Sequence, residues 1–374
     1  MSNNYIAIYR RFRPETFDEL LGQQHIVRVL KSQIAAGNVG HAYLFSGTRG
    51  TGKTTIARLL AKGVNCLNGG DGPVADGGAV RPCGICEHCV EIKNGAFIDV
   101  VEIDAASNNS VDDVRDLREI LVYPPQLGRK RVFIFDEVHE FSKQAFNALL
   151  KTLEEPPENI LFILCTTEPN KLPQTILSRC QRFDFRRVAA SEIAEGMKRI
   201  TKKLDIESDD DAVALLAHSA DGSVRDGLSL LEQCVTSGET KLTRQLVLDV
   251  LGSPGDSAVA ALTEDIHEGR TADALVKISE MLAEGKEERR VIEEWIDWFH
   301  SALLIKFVKD PARIIGRSEE NIEEIRSAAE KYDVTFINDS IYKLSKLLNE
   351  SRWSPHVRIL LELAVVEMSE KEDT

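Results

Sequence analysis

The sequence predicts an α/β domain built on a parallel sheet, followed by two helical domains. From residue 40 to about residue 187, short β-branched and aromatic runs alternate with helical patterns, which indicates crossover connections and helices on both faces of a sheet. After residue 190 the strand-like runs stop and amphipathic helical patterns take over. At 374 residues the chain is also too long for one ordinary domain.

We expect three domains, divided where the pattern changes. The α/β domain covers residues 1–187 and contains a cysteine-rich module at about 64–95, the small helical domain covers residues 188–252, and the second helical domain covers residues 253–374. The predicted strands lie in HAYLFSG, FIDVVEID, RVFIFDE and ILFILCTT, and the helices between them lie in TTIARLLAKGV, VDDVRDLREIL and KQAFNALLKTLE. The continuous apolar runs VFIFD and ILFIL are typical of strands buried on both faces.

The second half of the chain reads as helices. Residues 191–251 predict three or so short helices, with Ser191 as a candidate N-cap and with Gly252 and Pro254 ending the segment. Apolar residues then recur at helical spacing to the end of the chain. We interpret the neighbouring Trp295 and Trp298 as core packing residues.

Composition predicts a soluble cytoplasmic protein with an uneven charge. No apolar run reaches the ~20 residues of a membrane helix, and seven cysteines are too few for a disulfide scaffold. The formal net charge is -14, yet residues 1–187 hold 23 Lys and Arg against 22 Asp and Glu, while the remainder holds 23 against 38. Nucleic-acid contacts should therefore be local to the first half, and the acidic half is better suited to protein contacts.

A phosphate-binding loop is predicted at residues 47–54, GTRGTGKT, which fit the pattern G-x-x-x-x-G-K-[ST] between a strand and a helix. The glycines let backbone N–H groups surround a phosphate, Lys53 reaches the β- and γ-phosphates, and Thr54 offers a hydroxyl to Mg²⁺. A turn that merely joins strand to helix would not need Lys-Thr in this register. The predicted nucleotide contacts are Gly47, Thr48, Arg49, Gly50, Thr51, Gly52, Lys53, Thr54, Thr55 and Arg225.

Two carboxylates end the strand RVFIFDE and complete the prediction of nucleoside triphosphate hydrolysis. Asp136 would hold Mg²⁺ through water, and Glu137 would be the base or positioning group for the attacking water. The alternative is that the pair caps the helix KQAFNALLKTLE. Thr166 and Thr167 end the next buried run and would lie beside Asp136 if the two strands are neighbours, where a hydroxyl could sense the γ-phosphate.

Four cysteines predict a structural zinc site. Cys83, Cys86 and Cys89 follow one another at C-x-x-C spacing, and Cys66 stands at the end of the preceding helix, so that four thiolates can surround Zn²⁺ with no open position. His88 could replace one thiolate, but its place between Cys86 and Cys89 points it away. A redox-active C-x-x-C motif would require a thioredoxin-like sequence around it, which is missing here. The other cysteines, at positions 165, 180 and 234, are interpreted as packing residues.

Two arginines are candidates for contacts with nucleotide phosphate. Arg179, in PQTILSRCQRF, follows the last predicted strand on a segment that should emerge at the edge of the domain. An arginine that serves its own phosphate site would be expected nearer Lys53. Arg225 begins a helix in the small domain and could reach back to a nucleotide held between domains.

Seven segments together resemble the gamma/tau family of bacterial DNA polymerase III clamp-loader subunits, which are AAA+ ATPases. They are YRRFRPETFDELLGQ, GTRGTGKTT, the four cysteines, FDEVH, LLKTLEEPP, TTEPNKLPQTILSRCQRF and GSVRD. The resemblance implies that Arg179 is an arginine finger acting in trans on a neighbour's γ-phosphate, that Thr167 senses phosphate in its own subunit, and that Arg225 is the counterpart of Thr167 in the small domain.

The resemblance also implies an architecture and partners. The three domains become an AAA+ ATPase domain, a helical lid and a collar that joins copies of this chain with the delta and delta prime subunits in a pentamer. ATP, Mg²⁺ and Zn²⁺ are the implied cofactors, the sliding clamp and primer-template DNA the implied partners, and ATP-driven clamp loading the implied function. We expect phosphate contacts near Asn108, Asn109 and Arg115, unless these residues only begin a solvated helix.

Competing interpretations share parts of this pattern. A hexameric AAA+ DNA motor of the branch-migration type would have the ATP site but no reason for the cysteine module. A non-hydrolysing structural subunit of the same loader would not need Lys53, Thr54, Asp136 and Glu137 intact. No carboxylate constellation for nucleotidyl transfer is present beyond the ATP site, so no polymerase activity is expected. The helicase- and polymerase-binding segments of the longer tau form are expected to be absent.

Overall fold

A computed structural model describes residues 6–68, 82–107, 121, 123–236, 241–311, 315 and 319–370. Helices and strands are numbered below among these residues. The helix predicted in VDDVRDLREIL lies outside them apart from Leu121, as do Asn108, Asn109 and Arg115. Tertiary contacts divide the chain into two compact units, of which the first comprises Met1–Gly196 with Ala220–Ser229 and the second Met197–Ser219 with Leu230–Thr374. The division into three domains remains a prediction.

The first unit is built on a five-stranded sheet in which every strand pair is parallel, as the alternating pattern predicts. The strand order is β2-β3-β4-β1-β5. The strands are β1 (Ala42–Ser46), β2 (Val100–Asp104), β3 (Arg131–Asp136), β4 (Ile160–Thr166) and β5 (Gln181–Asp184). All residues of β4 and all of β3 except Asp136 are buried, which confirms that the runs VFIFD and ILFIL are strands covered on both faces.

The fifth strand is missing from the sequence-based prediction. Only Phe183 of β5 is buried, whereas Gln181, Arg182 and Asp184 are exposed. The strand pairs with β1 through the register Phe45↔Phe183 and lies at the edge of the sheet. A four-residue edge strand with a single apolar residue gives too weak a signal to be recognised from its own sequence.

Helices cover both faces of the sheet. They are α1 (Ile8–Arg11), α2 (Gln24–Ala35), α3 (Lys53–Asn65), α4 (Glu87–Asn94), α5 (Lys143–Glu154) and α6 (Gln174–Leu177), and short 3₁₀ turns occupy Phe17–Glu19, Val138–Glu140 and Pro169–Lys171. Tyr43 and Phe45 share a buried cluster with apolar residues of α2 and α3. Leu44, which alternates with them, faces a second cluster that includes residues of α5. The period of two along β1 therefore distributes its side chains between two cores.

Short helices follow the sheet, broadly as predicted. They are α7 (Ala190–Lys203), α8 (Asp210–Ser219), α9 (Val224–Thr236) and α10 (Arg244–Leu251). Two expectations are wrong in detail. Ser191 lies inside the first turn of α7 and does not precede the helix. Strands also do not stop after residue 190, because β6 (Glu207–Ser208) pairs in parallel with β7 (Lys241–Leu242). Two-residue strands carry no periodicity that a sequence can reveal.

Six further helices complete the second unit among the described residues. They are α11 (Asp256–His267), α12 (Thr271–Ala283), α13 (Glu288–Phe307), α14 (Glu319–Ala329), α15 (Val334–Glu350) and α16 (Val357–Ser369). Gly252, with φ +64°, ends α10 as predicted. Trp295 and Trp298 are fully buried in the core of these helices, which confirms their role in packing. Among the described residues, no helix is long and apolar enough to cross a membrane.

The buried hydrogen bond from the indole Nε1 of Trp295 to Thr263 Oγ1, 2.9 Å long, gives a test of this core. We expect Thr263→Val to lower the free energy of unfolding by about 1–3 kcal/mol, because the buried indole N–H loses its acceptor. Urea unfolding followed by tryptophan fluorescence measures the change. Thr335→Val, the same substitution at an exposed position of α15, is the control and should leave stability nearly unchanged. Equal effects at both positions would contradict the prediction.

Candidate nucleotide and metal sites

The loop between β1 and α3 is held closely by its neighbours. A Cβ at Gly47 would lie 2.5 Å from the carbonyl oxygen of Phe185. Gly50 has φ +75°, and a Cβ there would lie 1.8 Å from Ser223 Oγ. Both positions therefore require glycine. The loop also closes on itself through a 2.8 Å hydrogen bond from Thr51 Oγ1 to the carbonyl of Thr48. Its backbone shape is thus fixed by contacts on both sides.

The remaining loop residues differ in exposure. Thr51 is 2% exposed and Lys53 is 5% exposed, whereas Thr48 and Arg49 are exposed and Thr55 is half-buried in the first turn of α3. Lys53 Nζ donates hydrogen bonds to the carbonyls of Gly47 (2.8 Å) and Thr48 (2.9 Å). Burial lowers the pKa of Lys53, and nearby Glu137 acts against that shift. The loop carbonyls thus hold the ammonium group inside the predicted phosphate site.

Thr54 and Asp136 are brought into direct contact. Thr54 Oγ1 donates a 2.9 Å hydrogen bond to Asp136 Oδ2, which joins the start of α3 to the end of β3. A hydroxyl and a carboxylate are hard oxygen ligands of the type that Mg²⁺ prefers, so this pair fits the predicted magnesium site. The alternative role of Asp136 and Glu137 as caps of α5 is not needed, because Ser142 Oγ accepts a hydrogen bond from Ala145 N at that helix start.

Glu137 is tied to the end of β4. Its Oε2 atom accepts hydrogen bonds from the backbone N–H of Thr167 (3.1 Å) and from Thr167 Oγ1 (3.0 Å). Strands β3 and β4 are neighbours, as the interpretation of Thr166 and Thr167 required. Glu137 also has φ +44°, an uncommon conformation for a residue with a side chain. Such outliers concentrate at functional sites, where surrounding contacts enforce them.

Sequence reasoning missed His139, whose side chain is only 5% exposed beside this carboxylate. Its Nδ1 atom lies 3.0 Å from Thr166 Oγ1 and 3.4 Å from Glu137 Oε2. The partner on β4 is 27 residues away in the chain. Nothing in the segment FDEVH distinguishes a buried histidine from one that merely follows a strand, so no local signal could have identified it.

Arg179 lies just after α6 and is bound within its own chain. Its guanidinium donates to Glu154 Oε1 (2.6 Å), to the carbonyl of Thr175 (2.8 Å) and to Ser178 Oγ (3.3 Å). The side chains of Arg179 and Glu154 are 32% and 51% exposed, respectively. Arg179 is therefore tied to the ends of α5 and α6, and none of these three partners lies in the loop that contains Lys53.

Arg225 stands close to the loop. A Cβ placed on Gly50 would lie 3.4 Å from the Cβ of Arg225. The guanidinium of Arg225 lies 5.0 Å from the centroid of the Tyr9 ring. Burial lowers the pKa of nearby Arg13, and the positive charge of Arg58 lowers it further. Arg225 therefore lies beside the loop, and sequence reasoning assigned no role to Arg13 or Arg58.

The four predicted cysteines converge on one point. The Sγ atoms of Cys66, Cys83, Cys86 and Cys89 all lie within 4.8 Å of one another. A hydrogen bond from Cys89 lowers the pKa of Cys66 to about 4, and the same contact raises the pKa of Cys89. The cluster therefore already favours one thiolate, and a divalent cation would stabilise the others. This donor set fits a closed tetrahedral metal site.

His88 and the cysteines outside the cluster are not placed to bind the metal. His88 faces away from it, because its Nδ1 atom lies 2.8 Å from the carbonyl oxygen of Asn65 and its ring packs on Phe97. Asn65 also exchanges two 2.9 Å hydrogen bonds with the backbone of Lys130, which precedes β3.

Two cysteines outside the cluster have raised pKa values. Burial raises the pKa of Cys180 to about 12 and that of Cys234 to about 11. Both therefore stay protonated thiols, in keeping with packing.

Three family models match consecutive parts of the chain. The model described as "DNA polymerase III, delta subunit" matches residues 22–189. The model of the "DNA polymerase III clamp loader subunit, ATPase lid domain" matches residues 192–240. The model of "DNA polymerase III subunits gamma and tau domain III" matches residues 242–373.

Individual proteins show the same similarity. The tau subunit of DNA polymerase III from Bacillus subtilis is 40% identical over 365 residues, which cover 98% of this chain and 63% of that one. The gamma subunit from Buchnera aphidicola subsp. Schizaphis graminum is 34% identical over 97% of this chain and 98% of its own. Among solved structures, the RuvB Holliday junction branch migration motor of Thermotoga maritima has a TM-score of 0.48 at 18% identity, covering 69% of this chain and 80% of that one.

The cysteine cluster predicts a stoichiometric metal. We expect the purified chain to carry about one tightly bound divalent ion per molecule, and we expect Cys83→Ser to lose most of it, because three thiolates with a hydroxyl hold such an ion far less tightly. Metal analysis after gel filtration against a chelator measures the content. Cys180→Ser, outside the cluster, is the matched control and should keep the ion. Full retention by Cys83→Ser would show that the thiolates are not the ligands.

Proposed function

Because the chain belongs to the gamma/tau family of DNA polymerase III subunits, we propose that it is the ATP-hydrolysing subunit of a clamp loader. In this role it would bind and hydrolyse ATP so that a sliding clamp is placed on primer-template DNA. The contact between Thr54 and Asp136, with Lys53 on one side and Glu137 on the other, is the observation that carries the proposal.

The loop supplies the binding part of the reaction. Its backbone N–H groups and the start of α3 would surround the β-phosphate, and Lys53, once it exchanges the carbonyls of Gly47 and Thr48 for phosphate oxygens, would neutralise the β- and γ-phosphates. Arg225, beside Gly50, would add a second positive charge. Thr54 and Asp136 would hold Mg²⁺, which when bound neutralises charge on the β- and γ-phosphates.

The end of the sheet supplies the hydrolytic part. Glu137 would orient the attacking water and accept its proton. Thr167 holds Glu137 through two hydrogen bonds, so a γ-phosphate that competes for the Thr167 hydroxyl would release the carboxylate toward that water. We therefore assign Thr167 the role of sensing the phosphate.

Arg179 would act on a neighbouring copy or subunit. Its bonds to Glu154 and Thr175 keep it away from Lys53 of its own chain. A partly exposed ion pair of this kind contributes only about 0–1 kcal/mol, so exchanging Glu154 for a neighbour's phosphate costs little. An arginine supplied in trans stabilises charge in the transition state of phosphoryl transfer.

The remaining assignments follow from the same family membership. We propose that the lid and the last helical domain join this chain to further copies and to the delta and delta prime subunits, in the cytoplasm, where the assembly would hold the clamp and DNA. We propose Zn²⁺ for the four cysteines, because thiolates in a closed tetrahedral set suit zinc and leave no position for chemistry. The similarity of almost the whole chain to tau and gamma subunits favours the clamp loader over a branch-migration motor.

Substitutions of Lys53 and Glu137 should separate binding from hydrolysis. We expect Lys53→Ala to weaken ATP binding at least about tenfold, because the charge opposite the phosphates is lost. We expect Glu137→Gln to bind ATP with little change while turnover falls by about 10²-fold or more, because the base is lost. Equilibrium binding of a fluorescent ATP analogue and steady-state phosphate release measure the two effects. Equal loss of binding in both variants would contradict these roles.

Arg179→Ala tests the assignment in trans. With delta, delta prime, clamp and primed DNA present, we expect turnover to fall by about 10³-fold while nucleotide still binds. Arg182→Ala removes a nearby exposed arginine that pairs with Asp184 and is the matched control, with turnover near that of the intact chain. Unchanged turnover in Arg179→Ala assemblies, or an intact assembly that clamp and DNA never stimulate, would overturn the clamp-loader proposal.

A further inference from the structure

His139 is a buried polar side chain to which the proposed reaction gives no task. It follows Glu137 by two residues, in the short turn Val138–Glu140 between β3 and α5. Its side chain is 5% exposed, and polar groups of other residues lie within 3.5 Å of both ring nitrogens. A buried histidine that only filled space would be expected among apolar neighbours, so the polar surroundings call for an explanation.

One side of the imidazole ring faces the groups around the water-orienting carboxylate. Nδ1 lies 3.0 Å from Thr166 Oγ1 and 3.4 Å from Glu137 Oε2. The same Oε2 atom is held by Thr167 N and Oγ1. Two residues therefore hold the Glu137 carboxylate: Thr167, which follows β4, and His139.

The other side of the ring faces the segment that follows β4. Nε2 lies 3.1 Å from Glu140 Oε1 and 3.5 Å from Glu168 Oε1. The backbone N–H of Glu168 donates a 3.0 Å hydrogen bond to Thr166 Oγ1, and its carboxylate accepts one from Lys171 (2.8 Å). The ring thus bridges the turn after β3 and the segment after β4, and in either tautomer one ring nitrogen can donate to a carboxylate.

We propose that His139 is a positioning residue that sets the orientation of Glu137 relative to Thr167. The inference rests on the proposed ATP hydrolysis, in which Glu137 orients the water. When a γ-phosphate draws the Thr167 hydroxyl away, the ring of His139, anchored on Thr166, still holds Glu137 Oε2. Without the ring, the released carboxylate can rotate away from the place where water must be held. A misplacement of about 1 Å in such a group can reduce turnover about 10²-fold.

Because the two ring nitrogens face different partners, separate variants can test each side of the ring. His139→Ala removes the whole ring. His139→Asn places an amide near the position of Nδ1, the side that faces Thr166 and Glu137, whereas Glu140→Gln alters a partner of Nε2. His267→Gln replaces a histidine that packs on Tyr332 and Phe336 in the helical unit and is the matched control. All variants are assayed in assemblies with delta, delta prime, clamp and primed DNA.

We expect kcat of His139→Ala to fall at least about tenfold while the dissociation constant for a fluorescent ATP analogue changes less than about twofold. We expect His139→Asn to recover kcat to within about threefold of the intact chain, and Glu140→Gln and His267→Gln to stay near it. A residue needed only for folding would lower binding and kcat together and would not be rescued by asparagine.

Three results overturn the inference. These are unchanged or increased turnover in His139→Ala, a loss of nucleotide binding that parallels the loss of turnover, and an asparagine variant no better than alanine when both bind nucleotide. In each case the intact assembly still hydrolyses ATP and the proposed function stands. An intact assembly that binds ATP without hydrolysing it would instead overturn the proposed function, and the inference with it.

Discussion

The hydrogen bond between Thr54 and Asp136 is the contact on which the candidate site depends. Its two partners are 82 residues apart in the chain. Thr54 begins α3, the helix after β1, whereas Asp136 ends β3, and β1 and β3 are not neighbours in the sheet. Because β1, β4 and β3 run parallel, the start of α3 after β1 and the end of β3 lie at the same edge of the sheet, on either side of β4. The same order places Thr167 beside Glu137. The parallel sheet therefore assembles the site as well as the core.

Features with a local signature were predictable from the sequence. The phosphate loop needs glycine at fixed positions for steric reasons, and those positions are visible as spacing. Buried strands are visible as apolar runs, and the three cysteines of one turn as C-x-x-C steps. Trp295 and Trp298 were recognisable because helical periodicity places both in a core. In each case the physical requirement acts on residues close together in the chain.

Features that depend on distant partners were not predictable. Strand β5 exists because β1 offers it a free edge, and its own four residues contain one buried side chain. β6 and β7 are brought together from either side of two helices. His139 has a role only because Thr166 and Glu168 approach it from another strand. Arg225 likewise approaches Gly50 from a distant segment of the chain, and the sequence suggested this only through its place at a helix start and through the family resemblance.

Helix α3 and strand β3 are joined at both of their ends. Thr54 binds Asp136 at one end, and Asn65 binds the backbone of Lys130 through two hydrogen bonds at the other. At about 1.5 Å per residue in a helix and about 3.3 Å in a strand, the two members have similar lengths of roughly 16–20 Å. Because hydrogen bonds join the helix and the strand at both ends, the helix cannot slide along the strand unless the bonds at one of these two joints break. Cys66 directly follows α3 at the second joint, so a metal held there would stabilise the end of the helix that is farthest from the phosphates.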